Sequence, residues 1–204
     1  MWDFEEVTSE EIAQQRERYE PLTTSVRELI DATLRTEVDD DAVASARADV
    51  DAATAKLRFL QRDGALGIGL TPDGETVAWG NVAIGTRNPL APPLVVEYDS
   101  PGRAYLDVEL GAAYEGPPGH LHGGYGALVL DHLLGAVASY NNPDTAAATG
   151  TISFRYHRLT RLGQLHAEAE IQSTDGRKII VVGHIADAEG VTVTAEGLFI
   201  TLRQ

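Results

Sequence analysis

Residues 125–140 constrain this chain more than any other stretch. They are rich in Ala and Leu and interrupted only by Asp131, His132 and Ser139. A helix that is apolar nearly all round is expected to be buried nearly all round. The run falls short of the roughly 20 apolar residues a bilayer-crossing helix needs, so the chain must supply its own cover. After Pro143 it offers four extended segments, near 147–158, 164–174, 177–188 and 191–202. In the second, Leu165, Ala167, Ala169 and Ile171 alternate with His166, Glu168, Glu170 and Gln172, the period of a sheet with one wet face. Asp175-Gly176 and Glu189-Gly190 are hairpin turns between neighbouring runs. Before the helix lie a short strand at 94–98 and a longer one at 103–114. The expected fold is α+β: strands, a long central helix, then a four-strand antiparallel meander.

The first 62 residues read differently. They hold good helix formers, no Gly and one Pro, at Pro21, where a new helix could begin. Segments at 8–19 and 25–36 are expected, the latter with an apolar stripe of Val26, Leu29, Ile30 and Leu34. A third helix opens at Asp39-Asp40-Asp41, where carboxylates suit the helix dipole, and runs through Ala55, Leu57 and Leu60. From Asp63 the composition changes, with Gly64, Gly67 and Gly69 and a turn at Pro72-Asp73-Gly74. The expected division is a helical extension, 1–62, for packing or oligomerisation, and a second unit, 63–204. Gly67-Ile68-Gly69 lacks the third glycine and following helix of a dinucleotide loop, and reads as turn and strand.

Sixteen Lys and Arg against 31 Asp and Glu leave a formal charge of -15. The mean field repels nucleic acid and anionic lipid, and opposes any polyanionic ligand unless local arginines reverse it. With no cysteine in the chain, thiolate nucleophiles, disulfides and Cys-ligated metals are excluded. The opening Met1-Trp2-Asp3-Phe4-Glu5-Glu6 has no basic, then apolar, signal pattern, so a cytoplasmic location is expected.

Several familiar chemistries fail on the residues. Gly-x-Ser-x-Gly is absent, and Ser100, Ser139, Ser153 and Ser173 lack elbow-like surroundings. His120 and His122, with His132 as a third, lack an acidic residue at ligand spacing, so no metal is expected. His122-Gly123-Gly124 is more informative. Glycine N–H groups at a helix start carry the positive end of the dipole towards whatever sits there, which is oxyanion-hole chemistry. Asp131 stands inside the apolar run, and spacing alone leaves it either a satisfied structural carboxylate or a catalytic one.

The run from Gly116 to Asp131, Gly-Pro-Pro-Gly-His-Leu-His-Gly-Gly-Tyr-Gly-Ala-Leu-Val-Leu-Asp, resembles the central-helix motif of the hotdog-fold acyl-CoA thioesterases. The likeness is greatest to the branch of the phenylacetate-pathway thioesterases and the thioesterase superfamily member proteins. Thr149-Gly150-Thr151-Ile152-Ser153-Phe154-Arg155-Tyr156 resembles the strand that follows the helix in that branch. The resemblance spans about residues 95–202. It implies a hotdog fold and hydrolysis of an acyl-CoA thioester to free acid and CoA. Gly123 or Gly124 then supplies an oxyanion N–H, His122 supports that end, Asp131 is general base or nucleophile, and Thr149 positions water or the carboxylate. It implies no cofactor beyond the coenzyme A of the substrate. Leu159 departs from the family, which often has proline there.

Gly123 and Asp131 are eight residues apart, about 12 Å along a helix at 1.5 Å per residue. One thioester carbonyl cannot meet both on the same helix. If both act on one carbonyl they come from two helices side by side, in a homodimer or dimer of dimers with sites shared between subunits. Arg155, Arg158 and Arg161, with Arg177 and Lys178, are the candidates for holding coenzyme phosphates. Tyr125 and Phe154, with apolar residues of the helix, are the candidates for an acyl tunnel. The competing readings are a non-catalytic acyl-CoA or acyl-lipid binding protein and a hotdog dehydratase. A dehydratase would be expected to use its His as base, so the acid at 131 favours hydrolysis.

Overall fold

A computed structural model describes residues 4–72, 74, 76–92, 94–140 and 146–202. In chain order the elements are β1 (Phe4–Glu6), α1 (Ser9–Arg35), α2 (Asp40–Arg58), β2 (Ile68–Leu70), β3 (Thr76–Val77), β4 (Glu97–Ser100) and β5 (Arg103–Leu110). A 3₁₀ turn (Ala112–Tyr114), α3 (Gly123–Ser139), β6 (Ala147–Tyr156), β7 (Gly163–Asp175), β8 (Lys178–Asp187) and β9 (Gly190–Thr201) follow. Of the residues named in the sequence analysis, Met1, Trp2, Asp3, Asp73 and Pro143 lie outside the described residues. No helix of the described residues is long and apolar enough to cross a membrane.

The alternation in β7 buries Leu165, Ala167 and Ala169 against α3, as its period requires. Val108 and Leu110 of β5, Val181 and Ile185 of β8, and Val193 and Phe199 of β9 complete that face around Leu130, Leu133, Leu134 and Val137 of the helix. Gly183 and Gly197 let the helix settle close to the sheet. A Cβ at Gly183 would fall 2.7 Å from one Leu134 methyl, and one at Gly197 would fall 3.4 Å from the other. The six-stranded antiparallel sheet has the order β4-β5-β7-β8-β9-β6.

That order corrects the expected four-strand meander. Only β7, β8 and β9 form one; β6 returns to the free edge of β9, antiparallel from Ala147 opposite Thr201 to Tyr156 opposite Val193. Period and turn residues predict which segments extend, but β6 has no hairpin turn to pin its neighbour. The short strand begins later than expected, at Glu97, because residues 94–96 have no strand partner.

The extension also differs. Residues 9–35 form one helix with Pro21 inside it, rather than two. Proline removes the donor to the carbonyl of Glu17, and both residues face water, which satisfies that carbonyl. Thr8 and Glu11 form a reciprocal capping box at its start. Arg87 stacks over the ring of Tyr19 at 3.6 Å, and Arg27 donates to the carbonyl of Asn88, fastening α1 to the loop before β4. An unforeseen strand, β1, pairs in parallel with β2, and Ile12 packs with Val77 and Trp79 in a small second core. Residues on both sides of position 62 therefore share one small sheet.

Candidate active site

The loop before α3 is tightly tied. His122 N–H donates to the carbonyl of Tyr114 at 2.9 Å, and Leu121 N–H to that of Thr160 at 2.9 Å. Gly116 has no room for a side chain, since a Cβ would lie 2.7 Å from the His122 Cα. His122 is the N-cap: its backbone is extended, and its Nδ1 accepts from Gly124 N–H at 3.0 Å. That bond keeps the ring proton on Nε2. It also engages one of the two expected oxyanion donors. Gly123 N–H, by contrast, has no acceptor among the described residues, and Gly123 lines a cleft of about 380 Å³. Leu121, Tyr156, Arg158, Leu159 and Val193 line that cleft. Across it, the hydroxyl of Tyr156 donates to the Gly123 carbonyl at 2.9 Å and holds the first turn in place.

Two turns along the helix lies Asp131, and its position corrects an expectation. It is exposed, because α3 is not buried all round. The sheet covers Gly126, Val129, Leu130, Leu133, Leu134, Val137 and Ala138; the face carrying Gly124, Leu128, Asp131 and Gly135 is left partly or fully open. The carboxylate accepts a hydrogen bond from the Thr149 hydroxyl at 2.9 Å. It borders a second cavity of about 480 Å³, shared with Thr149, His132, Ser139, Tyr98 and Asn81. Gly123 borders the first cleft and Asp131 the second. His132 is pushed below its ordinary value by burial, partly offset by the Asp131 charge. The Tyr98 phenol, pushed up to about 12 mainly by burial, donates to the Ala136 carbonyl at 3.3 Å.

Strand β6 serves both ends of the helix by means of a bulge. Thr149 pairs with Phe199 and Thr151 with Leu198, so Gly150 is an extra residue. Without it, the period of two would send Thr149 and Phe154 to opposite faces; with it, Thr149, Ile152, Phe154 and Tyr156 all turn towards α3.

The expected phosphate-binding cluster is dispersed. Arg155 points to the other face of the sheet, into a groove with Arg103, Glu168 and Glu196. Arg158 lines the first cleft but forms a bidentate pair with Asp187, whose side chain is only 3% exposed, and donates to the Gly190 carbonyl. That guanidinium, with the N–H groups of Glu189 and Arg161, holds the Asp187 carboxyl far below the usual carboxylate range. Arg161, next to the cleft, pairs with Glu189 at 2.9 Å. Arg177 and Lys178 sit at the far end of β7, about 40 Å from Gly163 at 3.3 Å per residue.

Tyr125 and Phe154 pack on the core rather than line either cavity, Tyr125 meeting Tyr114 edge-on at 4.8 Å. Sequence reasoning missed Tyr156, although it shares Phe154's face at a spacing of two. His120 Nδ1 lies 2.8 Å from the Pro118 carbonyl, a local turn contact. Among the described residues, no three His, Cys, Asp or Glu gather as metal ligands would.

Residues 118–194 match the family model of the thioesterase superfamily. A thioesterase superfamily protein of known structure is 36% identical over 89% of this chain and 90% of its own, with a TM-score of 0.77. A conserved Pseudomonas aeruginosa protein is 20% identical over 54% of this chain and 89% of its own, with a TM-score of 0.50. A hypothetical thioesterase protein with coenzyme A, from Streptococcus pneumoniae, is 18% identical over 54% and 90%, also with a TM-score of 0.50. These last two share the fold alone. No curated protein matches this sequence.

Proposed function

This chain belongs to the thioesterase superfamily, and we propose that it hydrolyses acyl-CoA thioesters at sites each built from two subunits. The observation that carries the reading is the division of the site. Gly123, whose N–H has no acceptor among the described residues, lines one cleft, the Asp131–Thr149 pair lines another, and about 12 Å of helix separates them. The uncovered face of α3, with Gly124, Leu128, Asp131 and Gly135, suits a second α3 lying antiparallel, which would bring Asp131 of one subunit to Gly123 of the other. A coenzyme A ester as substrate is supported by the Streptococcus pneumoniae protein of the same fold, which was solved with coenzyme A.

In this reaction Asp131 takes a proton from water as its oxygen attacks the thioester carbonyl. The oxyanion that forms accepts a hydrogen bond from Gly123 N–H at the positive end of α3. His122, by engaging Gly124 N–H, and Tyr156, by holding the Gly123 carbonyl, keep that donor aimed. Collapse of the intermediate breaks the carbon–sulfur bond, and the CoA thiolate recovers the proton as the free acid leaves. Thr149 fixes the carboxylate's orientation. Direct attack by Asp131, giving a transient anhydride that water then cleaves, uses the same groups. Arg158 and Arg161 stand nearest the cleft for the coenzyme's phosphates. The scheme calls on no metal or redox cofactor.

The test is thiol release from a panel of acyl-CoAs by the wild type and by Asp131→Asn. The variant should lose at least about 10²-fold in kcat with little change in KM, the size expected for removing a general base. Near-normal turnover by a folded variant would remove Asp131 from the chemistry. Binding of acyl-CoA without release by the wild type would favour a non-catalytic carrier.

A further inference from the structure

Helix α2 stands apart from the rest of the fold. Its 19 residues include none that is buried, and no other element packs along it. It is well formed at its ends: Asp39 caps it by accepting from Ala42 N–H at 2.9 Å, Asp40 and Asp41 lie in its first turn, and Lys56 and Arg58 in its last. Caps and dipole matching are small effects, and an isolated helix of this length is marginal in water.

Its large apolar residues fall on one stripe. Val43, Val50 and Leu57 recur every seven residues, and Ala46 and Ala53 follow the first two by three; Leu60 continues the spacing two residues beyond the helix end at Arg58. These are the a and d positions of a heptad, the 3.5-residue period of a helix that pairs with another helix rather than with a sheet. Val43, Val50, Leu57 and Leu60 are all exposed, Leu60 by 87%. Helix α1, only four residues upstream, does not cover them.

We propose that α2 pairs antiparallel with α2 of a second copy of this chain. The charges select both partner and direction. Asp39, Asp40 and Asp41 mark one end of the helix, Lys56 and Arg58 the other. An antiparallel copy sets each acidic end on a basic end, whereas a parallel copy stacks acid on acid. A register follows from the a and d positions. Ala46 faces Leu57 of the partner subunit, and Val50 faces Ala53 of the partner subunit. Each layer sets a smaller side chain against one of equal or larger size. This contact involves neither α3 nor the candidate active site, so it stands whether or not the chain is a hydrolase.

Because the chain has no cysteine, introduced ones report contacts cleanly. Ala46→Cys and Leu57→Cys full-length chains are co-refolded, oxidised and run on non-reducing gels, with each variant alone alongside. The antiparallel pair gives a disulfide-linked dimer in the mixture and little from either variant alone. Val50→Asp added to both chains should abolish it, with near-UV circular dichroism confirming that the hotdog core still folds. Cross-linking of Ala46→Cys to itself would mean a parallel pair and overturn the proposal. So would failure of the mixture to cross-link, or a cross-link that survives Val50→Asp.

Discussion

The Thr149 hydroxyl, on strand β6, donates to Asp131 Oδ1, on helix α3, at 2.9 Å. A bulge at Gly150 is what turns Thr149 to that side of the strand. The threonine touches the carboxylate rather than a reacting atom, so its contribution is to position the proposed base. Thr149→Val should lower kcat about tenfold and leave KM nearly unchanged, since a hydrogen bond to a charged group is worth roughly 1.5–3 kcal/mol and water replaces part of it. Thr149→Ser should restore most of the loss. Steady-state kinetics on the two variants separates the outcomes: equal losses for Val and Ser would mean that packing, not the hydroxyl, matters.

Shared sites make a quantitative claim about mixed dimers. At Gly124 an added Cβ would sit 3.1 Å from His122 Nδ1, so Gly124→Val forces the cap apart and spoils the donor end. A dimer pairing this variant with Asp131→Asn has one site with both lesions and one with neither. With random exchange about half the dimers are mixed and each keeps one good site of two, so co-refolded variants should recover about one quarter of wild-type activity. If both groups served one site within a chain, mixing would restore nothing.

Asp187 ties the β8–β9 hairpin to the end of β6. Its carboxylate accepts from Arg158 twice, from Arg161 N–H and from Glu189 N–H. Asp187→Ala leaves that guanidinium without its partner and should cost about 2–4 kcal/mol in urea unfolding at pH 7. Because the folded value lies below the unfolded one, this stability is present above the ordinary Asp value of about 3.9 and fades as pH falls below it. The gap between wild type and variant should therefore narrow at pH 3. A gap that stays constant would show that the ion pair is not its source.

His132 gives the opposite side of neutrality. Its folded value is depressed by burial, so the unfolded chain binds the proton more readily, and stability is full above the unfolded value of about 6.5 and lost below it. Between pH 7.5 and 5.5 the wild type should lose more stability than His132→Gln. Urea midpoints at the two pH values measure the difference. Parallel declines would mean that His132 is solvated in the assembled protein.

Much of the fold is legible because its signals are local. An apolar run rich in Ala and Leu marks α3; alternation marks β7; Asp175-Gly176 and Glu189-Gly190 mark the hairpins around β8. The candidate site is legible only where family likeness joins local pattern, at His122, Gly123, Asp131 and Thr149. Arg155 shows the limit: five cations within 24 residues look like a cluster along the chain, yet strand period and strand length send Arg155 to the other face and Lys178 to the far end of the sheet.

By itself the sequence determined the extended segments after α3 and that α3 must sit under a sheet, though not β1 or the single helix α1, because periodicity and turn chemistry act over a few residues and burial of Leu130, Leu133, Leu134 and Val137 follows from their type. Tertiary structure decided that β6 closes on β9, that one face of α3 stays open with Asp131 on it, that Gly124 N–H is taken by His122 while Gly123 N–H has no acceptor among the described residues, and that Arg158 is bound to Asp187. Each of these depends on which distant segments meet. That is settled by the pairing of strand edges and the fit of side chains across the core, and no short window of residues contains it.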